Sequence, residues 1–344
     1  MIRRRLWGAI AALLLAASAW AEDTGGLTHG YDYRSYGTAI SEILGALSKR
    51  DFARLDAMYA EYGSAGVRTR DGTWMLKAFP AAFDAIFPSY PEGQVEEIFR
   101  DWKARDPDSS LRPIAEAFAW QSRAWAAKGG YCYENASSSQ RKAFNALIDR
   151  SADSLRAAET RGRDSPLWHM AAILVAGAQL RPAPDLDALL GEAVARFPAF
   201  EPLYAARMTF FLPVWGGNFE IVDRFIRSSA AATRANEGRA LYAWLYLDLA
   251  ATPGCGQLFD RSSVSWPDMK VAFDDMLQRH PDDHNRNVYA TFACRERDVE
   301  TTSRLLRELG SEARLGMWSQ GISNESCRAM VRGAAPAAAR ERDT

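Results

Sequence analysis

Asp51-Phe52-Ala53-Arg54-Leu55-Asp56-Ala57-Met58, Asn218-Phe219-Glu220-Ile221-Val222-Asp223-Arg224-Phe225 and Asp298-Val299-Glu300-Thr301-Thr302-Ser303-Arg304-Leu305 are three windows on one pattern. Each opens on Asp or Asn, continues with an apolar residue and places another apolar residue eighth. A short side-chain oxygen in the first position accepts a hydrogen bond from a backbone N–H one turn on, and so starts a helix. The apolar positions then share one face of that helix, and the face needs a neighbour to cover it.

What precedes the last two windows also repeats. Val194 to Pro198 reads V-A-R-F-P and Met276 to Pro281 reads M-L-Q-R-H-P. Each closes a helix with Arg, an aromatic or His, and Pro, which cannot continue a helix. Between these stops and the capped starts, Leu203–Leu212 and Asn287–Arg295 read as helices. The unit is therefore helix, tight turn, capped helix, proline stop, which is the logic of a tetratricopeptide-like hairpin.

The rest of the chain carries the same signal. Ile40, Ile43, Leu44 and Leu47 make a helical stripe, as do Leu186, Leu189, Leu190 and Val194. No segment alternates β-branched residues with period two, so strands are not expected. Prolines fall between stripes or at their starts; Asp106-Pro107, Ser165-Pro166 and Ser265-Trp266-Pro267 read as cap-and-first-turn signals.

Composition narrows the class. The 344 residues are 48% hydrophobic and 11% aromatic, too apolar for a disordered chain. Lys and Arg total 42 against 43 Asp and Glu, which argues against a nucleic-acid-binding face. Lysine occurs only at 49, 77, 103, 128, 142 and 270, a bias that a G- and C-rich genome would produce.

Arg3-Arg4-Arg5, the apolar run Leu6–Ala17 and Ala19-Trp20-Ala21 form a secretory signal pattern, with cleavage expected after residue 21. The run is too short to cross a bilayer, and no later stretch is both long and apolar enough to do so. The expected location is the periplasm or the exterior, with no integral membrane segment after cleavage. There the four cysteines, Cys132, Cys255, Cys294 and Cys327, invite disulfides, and sequence leaves all three pairings open. A bridge from the Pro-Gly-Cys-Gly loop at Cys255 to Cys294 is the first choice.

The chemistry-bearing residues form no catalytic signature. HExxH, GxSxG, P-loop and dinucleotide fingerprints are absent. His280 and His284 have zinc-like spacing, but Pro281 between them reads as a turn, so no metal and no cofactor are expected. His169, after Trp168 in an apolar stretch, reads as a core histidine. Glu96-Glu97 and Asp274-Asp275 read as charges on solvated helix faces. Trp215 differs from the other tryptophans because it sits in the turn Pro213-Val214-Trp215-Gly216-Gly217. With Tyr204, Arg207 and Phe211 on the helix leading into that turn, it forms the candidate partner-binding set, a residue mix typical of interface anchors.

Three stretches taken in order resemble a bacterial family of exported tetratricopeptide-like proteins of unknown function. They are Arg50–Asp56 with Asp71–Leu76; Ala124–Tyr131 with Phe211–Gly217; and Asp268–Lys270 with Arg279–Pro281 and Phe292–Cys294. The likeness spans about residues 35–330 and implies the fold while adding no catalytic residue.

The expected architecture is all-α, a solenoid of α-α hairpins. Residues 1–21 form the signal, 22–34 a linker, 35–160 an N-terminal helical part, 161–330 the repeats and 331–344 a disordered tail. The expected role is a protein- or peptide-interaction scaffold of the cell envelope, not an enzyme. An envelope hydrolase with a carboxylate or His site, and a small-ligand binder with a Trp-lined cavity, are the alternatives.

Overall fold

The computed structural model describes residues 33–64, 66–129, 136–179, 185–251, 261–315 and 322–334. The signal pattern, Cys132, Cys255 and the last ten residues lie outside these segments. Among the described residues every regular element is a helix, and the nearest approach to a sheet is one isolated bridge between Arg68 and Trp74. None of these helices is long and apolar enough to cross a membrane.

The chain divides into two compact units. Of the described residues, the first holds those up to Asn218 except Arg70–Gly72, and the second holds Arg70–Gly72 and those from Phe219 onward. The sequence boundary at 160/161 falls inside a single helix, Ser138–Gly162, so the hydrophobic core of the first unit continues across it.

The first unit contains α1 (Tyr33–Ser48), α2 (Phe52–Gly63), α3 (Ala78–Ile86), α4 (Glu92–Arg105), α5 (Leu111–Lys128), α6 (Ser138–Gly162), α7 (Pro166–Ala178), α8 (Leu186–Arg196) and α9 (Glu201–Thr209). From α4 on, each helix packs on the next, α1 packs on α2, and α1, α3, α5, α7 and α9 also touch in succession. Large aromatics fill the interior. Trp102 on α4 is fully buried, stacks on Phe52 of α2 at 4.9 Å and donates Nε1–H to Asp56 at 3.3 Å.

The second unit contains α10 (Phe219–Ala232), α11 (Arg234–Glu237), α12 (Ala240–Ala251), α13 (Trp266–Arg279), α14 (Asp283–Arg295), α15 (Val299–Leu309) and α16 (Asn324–Ala334). Here α12 packs on α10 and α13, and the chain then runs pairwise through α14, α15 and α16. The expected tail from residue 331 is helical as far as Ala334.

All three quoted windows open helices at their second residue: α2, α10 and α15. Asp51 accepts from Arg54 N–H and Asp298 from Thr301 N–H, as capping requires. The turns before these caps match. Arg50 and Arg297 both adopt left-handed backbone, with φ of 54° and 58°. Each turn carries the same two bonds: Arg50 N–H to Leu47 O and Asp51 N–H to Ala46 O, Arg297 N–H to Cys294 O and Asp298 N–H to Ala293 O. That is a Schellman closure, with Arg where glycine is usual. The proline stops match too: Phe197 has φ −130° and ψ 59°, His280 φ −128° and ψ 70°.

Three local expectations need correction. Asp106-Pro107 does not start a helix. Asp106 instead ends α4, and Ser109 Oγ accepts the Arg112 N–H as α5 begins at Leu111. Ser265 precedes α13 as expected, but its side chain makes no capping bond. Cys294 is bridged to Cys327, not to Cys255. The bridge ties α14 to α16, because α15 folds back and brings the two ends to a Cα separation of 5.7 Å. Cys327 is also the nearer of the two along the chain, 33 residues from Cys294.

Candidate functional site

The last turn of α5 carries Trp125 and Lys128, three apart and therefore on one face of the helix. Gly129 ends the helix in left-handed conformation, φ 101°, with its N–H bonded to the Trp125 and Ala126 carbonyls. Phe144 approaches from α6, its ring centre 5.0 Å from that of Trp125. Trp215 approaches from the short 3-10 turn Pro213–Trp215, which closes through Trp215 N–H to Leu212 O and Gly217 N–H to Leu212 O. Gly217 is required there: a Cβ would sit 1.9 Å from the Phe211 carbonyl oxygen. Trp215 meets Trp125 edge to face at 5.7 Å and Phe210 at 5.1 Å.

These rings surround a cation. The Lys128 ammonium lies 4.2 Å from the Trp215 ring centre, 5.3 Å from Trp125 and 5.5 Å from Phe144. All three distances lie in the range of cation–π attraction. Lys128 and Trp215 are half-buried, whereas Trp125 and Phe144 are buried. Burial pushes the Lys128 amine below the ordinary lysine range. Trp215 Nε1 is buried and meets no acceptor among the described residues.

The four residues singled out from sequence separate into two kinds. Tyr204 is 5% exposed and donates its hydroxyl to the Pro198 carbonyl at 2.9 Å. Arg207 is 8% exposed, with Nε bonded to Asp187 at 2.9 Å and its guanidinium 3.7 Å above the Phe211 ring. Both are committed to intramolecular partners. Phe211 and Trp215 keep accessible ring surface, so the candidate surface moves from the face of α9 to the turn that follows it. Sequence reading missed Lys128 and Phe144. A lysine three residues after a tryptophan was the available signal, but the other two rings come from distant segments.

The histidines are held by the fold. His169 is 2% exposed and bonds through Nε2 to the Arg163 carbonyl at 2.9 Å. Burial lowers its pKa. In the second unit, Pro281 separates α13 from α14, so His280 and His284 do not share a helix face. His280 Nε2 lies 3.3 Å from Glu237, and its ring packs on Gly72, where a Cβ would come within 2.9 Å. Asn285 fastens the same loop, donating to the Asp71 and His280 carbonyls at 2.8 and 3.0 Å. Burial lowers the His284 pKa, against the opposing fields of Asp71 and Asp282. Among the described residues no group of three His, Cys, Asp or Glu is placed to hold a metal ion.

The paired acids are also spoken for. Glu97 pairs with Arg50 at 2.9 Å and Glu96 with Arg150 at 2.7 Å. Asp274 accepts the Tyr289 hydroxyl at 3.0 Å and Asp275 the Arg239 N–H at 2.7 Å.

No family model matches the chain, and no curated protein or solved structure does either. The functional reading therefore rests on the residues alone.

Proposed function

We propose that this chain is an exported helical-repeat protein that acts as a protein- or peptide-binding scaffold in the cell envelope. The observation that carries the proposal is the order of packing in the first unit. There α1, α3, α5, α7 and α9 touch in succession, with even-numbered helices beside them. Stacking by nearest neighbours is how α-α hairpin repeats bury their faces, and such stacks use one face for partners. The shared Schellman turns at Arg50 and Arg297, and the shared proline stops at Phe197 and His280, support a repeated unit. Phe211 and Trp215 supply half-exposed aromatic surface of the kind that anchors a partner. The signal pattern of residues 1–21 and the Cys294–Cys327 bridge favour an oxidising compartment.

The test is photo-crosslinking in the cell envelope with benzoylphenylalanine at Phe211, and at the exposed Arg156 as control. A single adduct of defined mass from position 211, absent from position 156, supports the scaffold. If position 211 gives no adduct and the purified chain turns over an envelope substrate, the reading fails.

A further inference from the structure

The Lys128 ammonium makes no hydrogen bond and no ion pair among the described residues, and no acidic group contributes to its electrostatics. Among the described residues it is held by the aromatic faces of Trp125, Phe144 and Trp215. That is a poor home for a primary ammonium. Its three N–H donors are satisfied only by acceptors or water, and a compact ammonium is strongly hydrated. It is a good home for a quaternary ammonium, which has no N–H to satisfy, sheds water cheaply and is attracted by the same ring faces. The arrangement of the rings agrees. Trp215 stands at 85° to Trp125, and Phe144 at 63° to Trp125, so they form walls and not a stack. Lys128 and Trp215 both retain exposed surface.

We infer that Trp125, Phe144 and Trp215 form a recognition cage for a trimethylammonium group, with Lys128 as a tethered internal cation that the ligand displaces. Displacement breaks no directional bond of Lys128 among the described residues, and the long lysine stem swings its charge back into water. The internal cation also sets a threshold: the ligand must outcompete a group already at high local concentration. The ligand chemistry is that of choline, whether free or carried as a lipid headgroup. This goes beyond the scaffold proposal, whose test reads protein adducts at position 211.

The experiment is a tryptophan-fluorescence titration of the full chain with tetramethylammonium chloride, against sodium chloride at equal ionic strength. The wild type should respond saturably. Lys128→Met keeps the stem and removes the competing charge, and should bind roughly tenfold more tightly. Trp215→Ala should abolish the response. Trp215→Phe loses no hydrogen bond, since Nε1 has no acceptor among the described residues, and should weaken binding roughly tenfold while leaving the circular dichroism unchanged. Choline and phosphatidylcholine vesicles then separate the two sources. Vesicle cosedimentation assigns the headgroup, binding of choline alone assigns the free cation, and either supports the cage. No saturable response in Lys128→Met, or an undiminished one in folded Trp215→Phe, overturns it.

Discussion

Cys294 and Cys327 are joined by a disulfide that fastens α14 to α16 across 33 residues of chain. Cross-linking a loop of that length removes conformational freedom from the unfolded chain, worth about 3–4 kcal/mol on the chain-entropy account. Cys327→Ser should therefore lower unfolding stability by about that amount. It should also release α16 first, because among the described helices α16 packs extensively on α15 alone. Hydrogen exchange of residues 324–334 checks the order, and urea unfolding checks the size; equal protection with and without the bridge would contradict it.

Arg297 holds φ of 58° in the turn before α15, and among the described residues its side chain has no hydrogen-bond or ion-pair partner that would reward the conformation. Left-handed backbone costs an L-residue about 1–2 kcal/mol, which glycine avoids at some expense in unfolded-state entropy. Arg297→Gly should raise stability by about 0.5–1 kcal/mol. Arg50→Gly, in the equivalent turn, should gain less, because Arg50 also pairs with Glu97 and Asp101. Thermal unfolding of both variants gives the comparison.

Asp298 joins the cap of α15 to the second unit's core. Burial alone would raise its carboxyl pKa. Bonds from Thr301, Lys270 and Trp266 outweigh that and hold it at about 2. The folded value lies below that of an unfolded aspartate, about 3.9, so the stabilisation is full above that pH and is lost as pH falls toward 2. The stability of the second unit should fall over that window. Asp298→Asn keeps a capping oxygen and should flatten the fall. Denaturant midpoints at pH 2.5 and 5 decide the matter.

Gly177 on α7 lies against the Phe210 ring so closely that a Cβ would come within 2.3 Å. Phe210 in turn packs on Trp215. Gly177→Ala gains helix propensity but overpacks the contact, for a net loss of about 1–2 kcal/mol. It should also shift the Trp215 emission. A stable variant with unchanged emission would show that Phe210 relaxes freely.

Much of the local structure was legible beforehand. Caps and proline stops act within a few residues, so Asp51, Asp298, Ser165-Pro166, Phe197 and His280 mark element ends that the fold respects. Competition among nearby polar groups limits that legibility. Asp106 looked like a helix start, yet its carboxylate serves the Asp108 N–H while Ser109 takes over three residues on.

The candidate site was half legible. Trp215 stands out in sequence because a tryptophan in a Gly-Gly turn cannot be placed on a helical stripe. Tyr204 and Arg207 read as equally available in sequence; both are buried and bonded within the chain. Lys128 offered only its spacing from Trp125, three residues along the helix, and Phe144 is ordinary on its own helix.

Sequence by itself determined the helical class, most of the helix termini and the apolar faces, because these follow from hydrogen bonds and side-chain periodicity within a turn or two. Tertiary structure alone decided which cysteine reaches Cys294, where the units divide, and that rings from α5, α6 and the 213–215 turn close around one ammonium. Those outcomes depend on how helices far apart in sequence pack, and apolar stripes fix that helices pack without fixing which residues meet.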